Sequence, residues 1–377
     1  MSQFKQISDK NAKVLYLETS ALGQSLLTTP KLNKGSAFSE LERQQFHLRG
    51  KLPYNIEDLS QQVLRCYQQF LKKDNNLEKH LYLRSLHDTN ETLFYKLVSQ
   101  HLTEMLPVLY TPTVGKAVEQ FSQEFQRPRG LYIAYPDRDH IEEIIENRFN
   151  SEVDIIVMTD GAGVLGIGDQ GIGGMDICIV KSMVYVLCGG VNPSRLLPIQ
   201  IDVGTDNEQL LNDPMYLGWR HPRISGKEYD DMVERVVLAI QRKLPQAYLH
   251  WEDFGRENAR RNLERYHQQM CTFNDDMQGT GAVTLVALLS AITRTKVPLT
   301  EQRIVIVGAG TAGTGIADQL CAAMRREGLS QQEALSRFYL VGRHGLLHQA
   351  MPELTAFQKP YARSDLAETG TNLSLHE

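Results

Sequence analysis

Cysteine is sparse in this chain, and what there is follows no pattern. The five residues, Cys66, Cys178, Cys188, Cys271 and Cys321, stand far apart. They form no C-x-x-C pair and no zinc-type spacing, which excludes a disulfide framework and a structural zinc site of the usual kind. Dispersed thiols in a chain of this size suit a reducing cytosol. Charge of one sign is also missing: the formal net charge is −5, giving no basic surface for nucleic acid or an anionic membrane. The opening MSQFKQISDKNAKVLYL carries no apolar signal-peptide core, and no apolar run is expected to reach membrane-spanning length. There is no internal repeat and no low-complexity segment. These absences leave a cytoplasmic globular protein. Its 377 residues, 42% hydrophobic and 23% charged, are ordinary for such a class and long enough for two cores.

What is present changes character along the chain. Residues 37–125 read as helices. SELERQQFHLRG (39–50) opens on a capping pattern, and NIEDLSQQVLRCYQQFLKK (55–73) has apolar residues at helical spacing. NETLFYKLVSQHLTEMLPVLY (90–110) keeps that period and is expected to end at Pro107. From residue 131 short β-rich runs alternate with amphipathic stretches such as YDDMVERVVLAIQRKL (229–244). The runs are LYIAY (131–135), VDIIVMTD (153–160), LLPIQIDVG (196–204), AYLHWEDF (247–254) and RIVIVGAG (303–310). Such alternation predicts an α/β fold with a mostly parallel sheet.

RIVIVGAGTAGTGIADQL (303–320) is a buried strand, a glycine turn and a helix. Gly308, Gly310, Ala312 and Gly313 form G-x-G-x-A-G, in the strand–turn–helix context that turns a weak motif into a dinucleotide-binding one. A tight turn that binds nothing is the bland alternative. RFYLVG (337–342) is the expected second strand, after a crossover lengthened by REGLSQQEALS. A carboxylate usually closes that strand and takes the ribose hydroxyls. Here Gly342 stands there, followed by Arg343 and His344. The remaining residues end in SDLAETGTNLSLHE, read as a solvated tail, so only the first half of a dinucleotide fold is expected.

AYLHWEDFGREN (247–258) sets Glu252 beside Asp253 among aromatics, and CTFNDDMQGTG (271–281) adds Asp275 and Asp276. Both acidic pairs follow predicted strands. Parallel strands share one C-terminal edge, where Glu252, Asp253 and Asp276 would suit Mg²⁺ or Mn²⁺. Two unrelated acidic helix caps explain the same spacing equally well.

The stretches LNKGSAFSELER (32–43), YLRSLHDTNETLFYKLV (82–98), LYTPTVG (109–115), GIGDQGIGGM (166–175), WEDF (251–254) and NDDMQGTG (274–281) together resemble the malic enzyme family. The resemblance runs from about residue 30 to about 345. It implies metal ligands at Glu252, Asp253 and Asp276, a general acid at Tyr110, a general base at Lys181 and an orienting carboxylate at Asp275. It further implies L-malate as substrate, Mn²⁺ or Mg²⁺, and NAD held by Gly308, Gly310, Ala312 and Gly313. NADP is the alternative, through Arg343. A homo-oligomer, dimer or tetramer, is expected, with no nucleic-acid or membrane partner. The expected domains are a catalytic one over 1–277, helical to 130 and α/β from 131, and a partial Rossmann-type one over 278–377.

Two departures bear on the product. TDGAGVLG (159–166) has Gly163 where malic enzymes carry an arginine that grips a malate carboxylate. YLHWEDFGR (248–256) and GAGTAGTGIAD (308–318) look more like malolactic enzymes, which give lactate and CO₂ without releasing NADH. Three readings follow: oxidative malate decarboxylation, the malolactic reaction, or a truncated pseudoenzyme that binds metal and malate with little turnover. A metal-dependent lyase without cofactor is weaker, given the glycine motif. The Gly-rich DGAGVLGIGDQGIGG (160–174) lacks the Lys-Ser/Thr of a phosphate loop and reads as tight turns.

Overall fold

The computed structural model describes residues 4–9 and 14–365. Residues 366–377, most of the expected solvated tail, lie outside the described residues. The chain divides into two compact units, Met1–Ala247 and Tyr248–Glu377. Residue 277, where the sequence suggests a domain boundary, lies in a π-helical turn, Asp275–Gly279.

The first unit begins with an antiparallel hairpin of β1 (Phe4–Ser8) and β2 (Val14–Thr19). This corrects the expectation that residues 1–130 are helical. Val14, Tyr16 and Thr19 are strand formers, and Phe4 and Leu17 pack against a small core of Leu26, Leu32, Phe38 and Leu48. Helices follow, and some have a legible start. Ser39 and Glu42 form a capping box for Glu40–Gln45, and Asp58 and Gln61 do so for Leu59–Leu71. Val63, Cys66 and Phe70 of the latter, on one face, are buried.

The single helix expected over 90–110 is two. Glu91–Gln100 ends at His101, whose N–H bonds to the carbonyls of Leu97 and Val98, and Leu102–Leu109 starts afresh. Pro107 lies inside the second helix and does not stop it. Only one helical bond is lost there, the one an N–H at 107 would give to the carbonyl of Thr103, and the Tyr110 N–H still bonds to the Leu106 carbonyl at 2.8 Å.

β3 (Leu131–Ala134), β4 (Ile155–Thr159) and β5 (Leu196–Asp202) form parallel pairs with β5 between the other two. The helix Gly174–Gly189 packs on β4 and β5. The run Gly171–Gly189 is long and apolar enough to cross a membrane, which corrects the expectation of none, but 67% of its window is buried inside the protein. It also carries Asp176 and Lys181, both buried. It is a core helix. Helix Gly226–Lys243 buries Tyr229, Met232, Val233, Val236, Val237 and Ile240, the expected stripe.

In the second unit, β6 (Tyr248–Trp251) and β7 (Thr272–Asn274) pair in parallel, Trp251 opposite Asn274. Helix Arg256–Tyr266 connects them. β8 (Ile304–Val307), helix Thr311–Arg326 and β9 (Phe338–Gly342) make a βαβ unit with β8 and β9 parallel, and β10 (Gly345–Leu346) turns back on β9. Leu320, Met324, Phe338, Leu340 and Leu347 form its core. The lengthened crossover contains a further short helix, Gln331–Leu335, capped by Ser330 and Glu333. The architecture is α/β, with a partial Rossmann-type dinucleotide-binding part.

Candidate functional site

In the first unit two predicted residues meet. Tyr110 follows the helix Leu102–Leu109 as its cap, and its carbonyl accepts from the N–H of Val114 at 2.9 Å. Lys181 projects from the middle of helix Gly174–Gly189 and is only 8% exposed. Its Nζ stands 4.9 Å from the centroid of the Tyr110 ring, a cation–π distance. A lysine buried against an aromatic face is not the solvated lysine that composition alone suggests.

The glycine-rich stretch 160–174 does form tight turns. Gly161, Gly166, Gly168 and Gly171 all have positive φ, and Val164 N–H bonds to the carbonyl of Gly168. Asp169 anchors the stretch. It accepts two bonds of 2.7 Å from Arg223 and one of 2.8 Å from the Asp206 N–H. Burial pushes the Asp169 carboxyl up, but the Arg223 fork and the backbone donors outweigh it, and the carboxyl is held below its ordinary value. Asp202 shows the opposite balance: burial raises it, and the N–H groups of Trp219 and Gly204 only partly offset that. A cavity of about 1380 Å³ in this unit is lined by Lys31, His87, Arg127 and Arg129 among others, and by neither Tyr110 nor Lys181.

The second unit assembles the acids. Glu252 and Asp253 follow β6, Asp275 and Asp276 follow β7, and the parallel register sets the two strand ends side by side. Carboxylate oxygens of Glu252, Asp253 and Asp276 all lie within 4.8 Å of one another. Glu252 and Asp253 are 2% and 4% exposed. The Asp253 N–H donates to Asp276 Oδ2 at 3.0 Å. Asp253 takes φ +53, a left-handed conformation that Asp tolerates better than most residues and that is stored where a site requires it. Three converging oxygens are a donor set for a hard divalent cation, so the residues present fit Mg²⁺ or Mn²⁺. A caps-only explanation does not require this convergence.

One residue escaped the sequence reading. His250 Nε2 makes a very short contact to Glu252 Oε2, and His250, Glu252 and Asp275 form a second candidate metal group sharing Glu252. The signal was available: residues i and i+2 of a strand point to the same face, so His250 and Glu252 had to be neighbours.

The glycine turn has the three-part geometry that a dinucleotide needs. A Cβ on Gly313 would stand 1.9 Å from the Gly308 carbonyl oxygen, so helix and strand close only on glycine there. Around Gly308 and Gly310 nothing lies within 4 Å of such a Cβ, leaving open space. The Ala309 carbonyl is held by Gln358 Nε2 at 2.7 Å and by Arg256 at 3.3 Å. Ala312 lies in the first turn of the helix Thr311–Arg326. β9 ends at Gly342, and Arg343 and His344 are exposed in the turn to β10.

Two family models together match most of the chain. The model of the malic enzyme N-terminal domain matches residues 87–267, and that of the malic enzyme NAD binding domain matches residues 277–377. The chain belongs to the malic enzyme family. Curated family members include an NAD-dependent malic enzyme of Aeromonas hydrophila, 50% identical over 359 residues, covering 94% of this chain and 64% of that one. Another, from Vibrio parahaemolyticus, is 52% identical over 337 residues, covering 89% and 60%. The chain thus spans less than two thirds of the length of these relatives. Among solved structures, the malic enzyme of Entamoeba histolytica aligns at 22% identity and TM-score 0.44, over 84% of this chain and 54% of that one.

Proposed function

We propose that this protein acts in the NAD-dependent oxidative decarboxylation of L-malate to pyruvate and CO₂, with Mn²⁺ or Mg²⁺ at Glu252, Asp253 and Asp276. The carboxylate convergence within 4.8 Å is the observation that carries the reading, and the names of the 50%-identical relatives support it. When bound, the cation would supply Lewis acidity and the nicotinamide a hydride acceptor. Lys181 takes the proton of the malate C2 hydroxyl as the C2 hydrogen leaves as hydride. The C3–C4 bond then breaks, its electrons forming the enolate, and Tyr110 delivers a proton to C3. Asp275, next to the metal group in sequence, keeps the orienting-carboxylate role that the family resemblance implies. Gly308, Gly310, Ala312 and Gly313 are assigned to the dinucleotide, with Arg343 beside its ribose.

The malolactic reaction is a second reading, favoured by Gly163 in place of the carboxylate-gripping arginine. We further infer domains over 1–277 and 278–377, a homo-oligomer, and a cytoplasmic location, which the five widely dispersed cysteines suit. Product analysis decides between the readings. Malate, Mn²⁺ and NAD should yield pyruvate and stoichiometric NADH. Lactate without NADH would establish the malolactic reaction, and unchanged malate would leave a binding protein. Asp276→Asn should weaken Mn²⁺ binding far more than a surface Asp→Asn change, and equal affinity by calorimetry would remove Asp276 from the metal site.

A further inference from the structure

We infer that His250 is a positioning residue for the cation site, fixing Glu252 through the hydrogen bond between its Nε2 and Glu252 Oε2. The inference rests on the metal reading above. β6 carries His250, and Glu252 comes directly after the strand's last residue, Trp251. Both side chains are shut away from solvent, at 1% and 3% exposure. An ionised carboxylate has no hydrogen to give, so the imidazole Nε2–H is the donor. Phe273 of β7 meets the imidazole edge to face, with centroids 5.6 Å apart and planes at 75°. The ring is therefore held by its own strand and by the neighbouring one, and it holds Glu252 in turn.

A carboxylate anchored through one oxygen has its plane set, and with it the direction in which the other oxygen meets a cation. Without that anchor, Glu252 would have to be ordered at the moment of binding. Groups that orient ligands in this way are worth about 10- to 100-fold in metal affinity. The alternative use of His250 is as a ligand, with Glu252 and Asp275. Through Nε2 that use conflicts with the hydrogen bond, because an Nε2 that carries a proton offers no lone pair to a metal.

The test is Mn²⁺ titration of the full chain by calorimetry, with pulsed electron paramagnetic resonance of the bound ion. His250→Phe, which removes the donor, should weaken Mn²⁺ binding by about 10- to 100-fold. His250→Gln, which keeps an N–H donor, should restore affinity to within about threefold of the parent, which a mere packing role would not do. If His250→Phe does not fold, His250→Leu carries the same expectation. A donor-free variant that binds Mn²⁺ as well as the parent overturns the inference. So does a His250→Gln variant as weak as the donor-free one, or a directly bound nitrogen coupling in the parent spectrum. Glu252→Gln separates the two levels. If it leaves Mn²⁺ affinity unchanged, the metal reading fails. If it weakens binding while His250→Phe does not, only the role of His250 fails.

Discussion

Lys181 Nζ faces the ring of Tyr110 at 4.9 Å from its centroid, so the residues assigned as base and acid are mutually placed within the first unit. The ring face fixes where the Lys181 amine sits, and would stabilise the ammonium formed once it has taken up a proton. That contact also makes the two residues energetically dependent, and single substitutions should not add.

The two roles separate with the choice of substrate. Malate needs its C2 hydroxyl deprotonated, whereas oxaloacetate has no such proton. Lys181→Ala should lower malate turnover by about 10²- to 10⁴-fold, the usual worth of a general base. Oxaloacetate decarboxylation should fall much less. Tyr110→Phe keeps the ring under Lys181 but removes the phenol, and should slow both reactions through the shared protonation at C3. Steady-state kinetics on both substrates measure this, and equal losses in Lys181→Ala would remove its role as base.

The Asp169–Arg223 pair, bonded twice at 2.7 Å, ties the glycine-rich stretch to the segment around residue 223. Asp169→Asn removes the hydrogen-bonded carboxylate of buried Arg223 and leaves only the more distant charge of Asp160, at a cost of about 3 kcal/mol near neutral pH. The sign of the pH dependence follows from the lowered Asp169 carboxyl. Its stabilisation is present above the unfolded value of about 3.9 and is lost as pH falls through the folded one. Asp202, raised by burial, works the other way, costing stability once ionised and relieving it in acid. It is present in both proteins and owes its shift chiefly to burial, with the Asp169 charge a smaller influence, so the parent-minus-mutant difference reports mainly Asp169. That difference, from urea unfolding, should shrink as pH drops below about 4. A difference independent of pH would contradict the assignment.

The glycine turn gives a pair of substitutions with opposite consequences. Gly313→Ala forces a Cβ to 1.9 Å from the Gly308 carbonyl oxygen, and should destabilise the second unit by about 3 kcal/mol while abolishing NAD binding. Gly310 has φ −89 and no atom near its would-be Cβ. Gly310→Ala should therefore fold normally yet bind NAD about tenfold more weakly, because the methyl enters the space meant for the pyrophosphate. Unaltered NAD affinity in folded Gly310→Ala, by fluorescence titration, would place the dinucleotide elsewhere.

Local patterns carried much of this architecture because they are governed by short-range rules. The capping boxes at Ser39 and Asp58, the strand from Ile304 to Val307 and the turn after it appear where propensity and glycine geometry put them. The acidic pairs were legible as pairs, but their convergence depends on the register of Leu249 with Thr272 and Trp251 with Asn274. Register between distant strands is not written in either strand alone. The β1–β2 hairpin was missed because its strands, paired from Phe4 with Thr19, are separated in sequence by DKNAK (9–13), which carries no glycine turn signal. The break at His101 was missed for a different reason: the apolar period continues through it, and periodicity reports faces, not helix ends.

Cofactor choice turns on one residue. β9 ends in Gly342, which pairs with Gly345 of β10, where a carboxylate would accept from the ribose 2′-hydroxyl and repel a 2′-phosphate. Glycine does neither, and the exposed Arg343 next to it offers a fork suited to a phosphate. The parent should therefore favour NAD over NADP by less than about tenfold, since a single charge-assisted hydrogen bond of that kind is worth about 1.5–3 kcal/mol. A Cβ at position 342 would meet Leu347 Cδ2 at 3.4 Å, an ordinary contact, so Gly342→Asp is sterically tolerable. It should widen the NAD preference by at least about tenfold, chiefly through lost NADP affinity. Arg343→Ala should weaken NADP alone. Fluorescence titration of both cofactors against the three proteins measures all of this. Tighter binding of NADP by the parent would reverse the preference assigned here, and an Arg343→Ala change felt equally by both cofactors would remove that residue from the 2′-position.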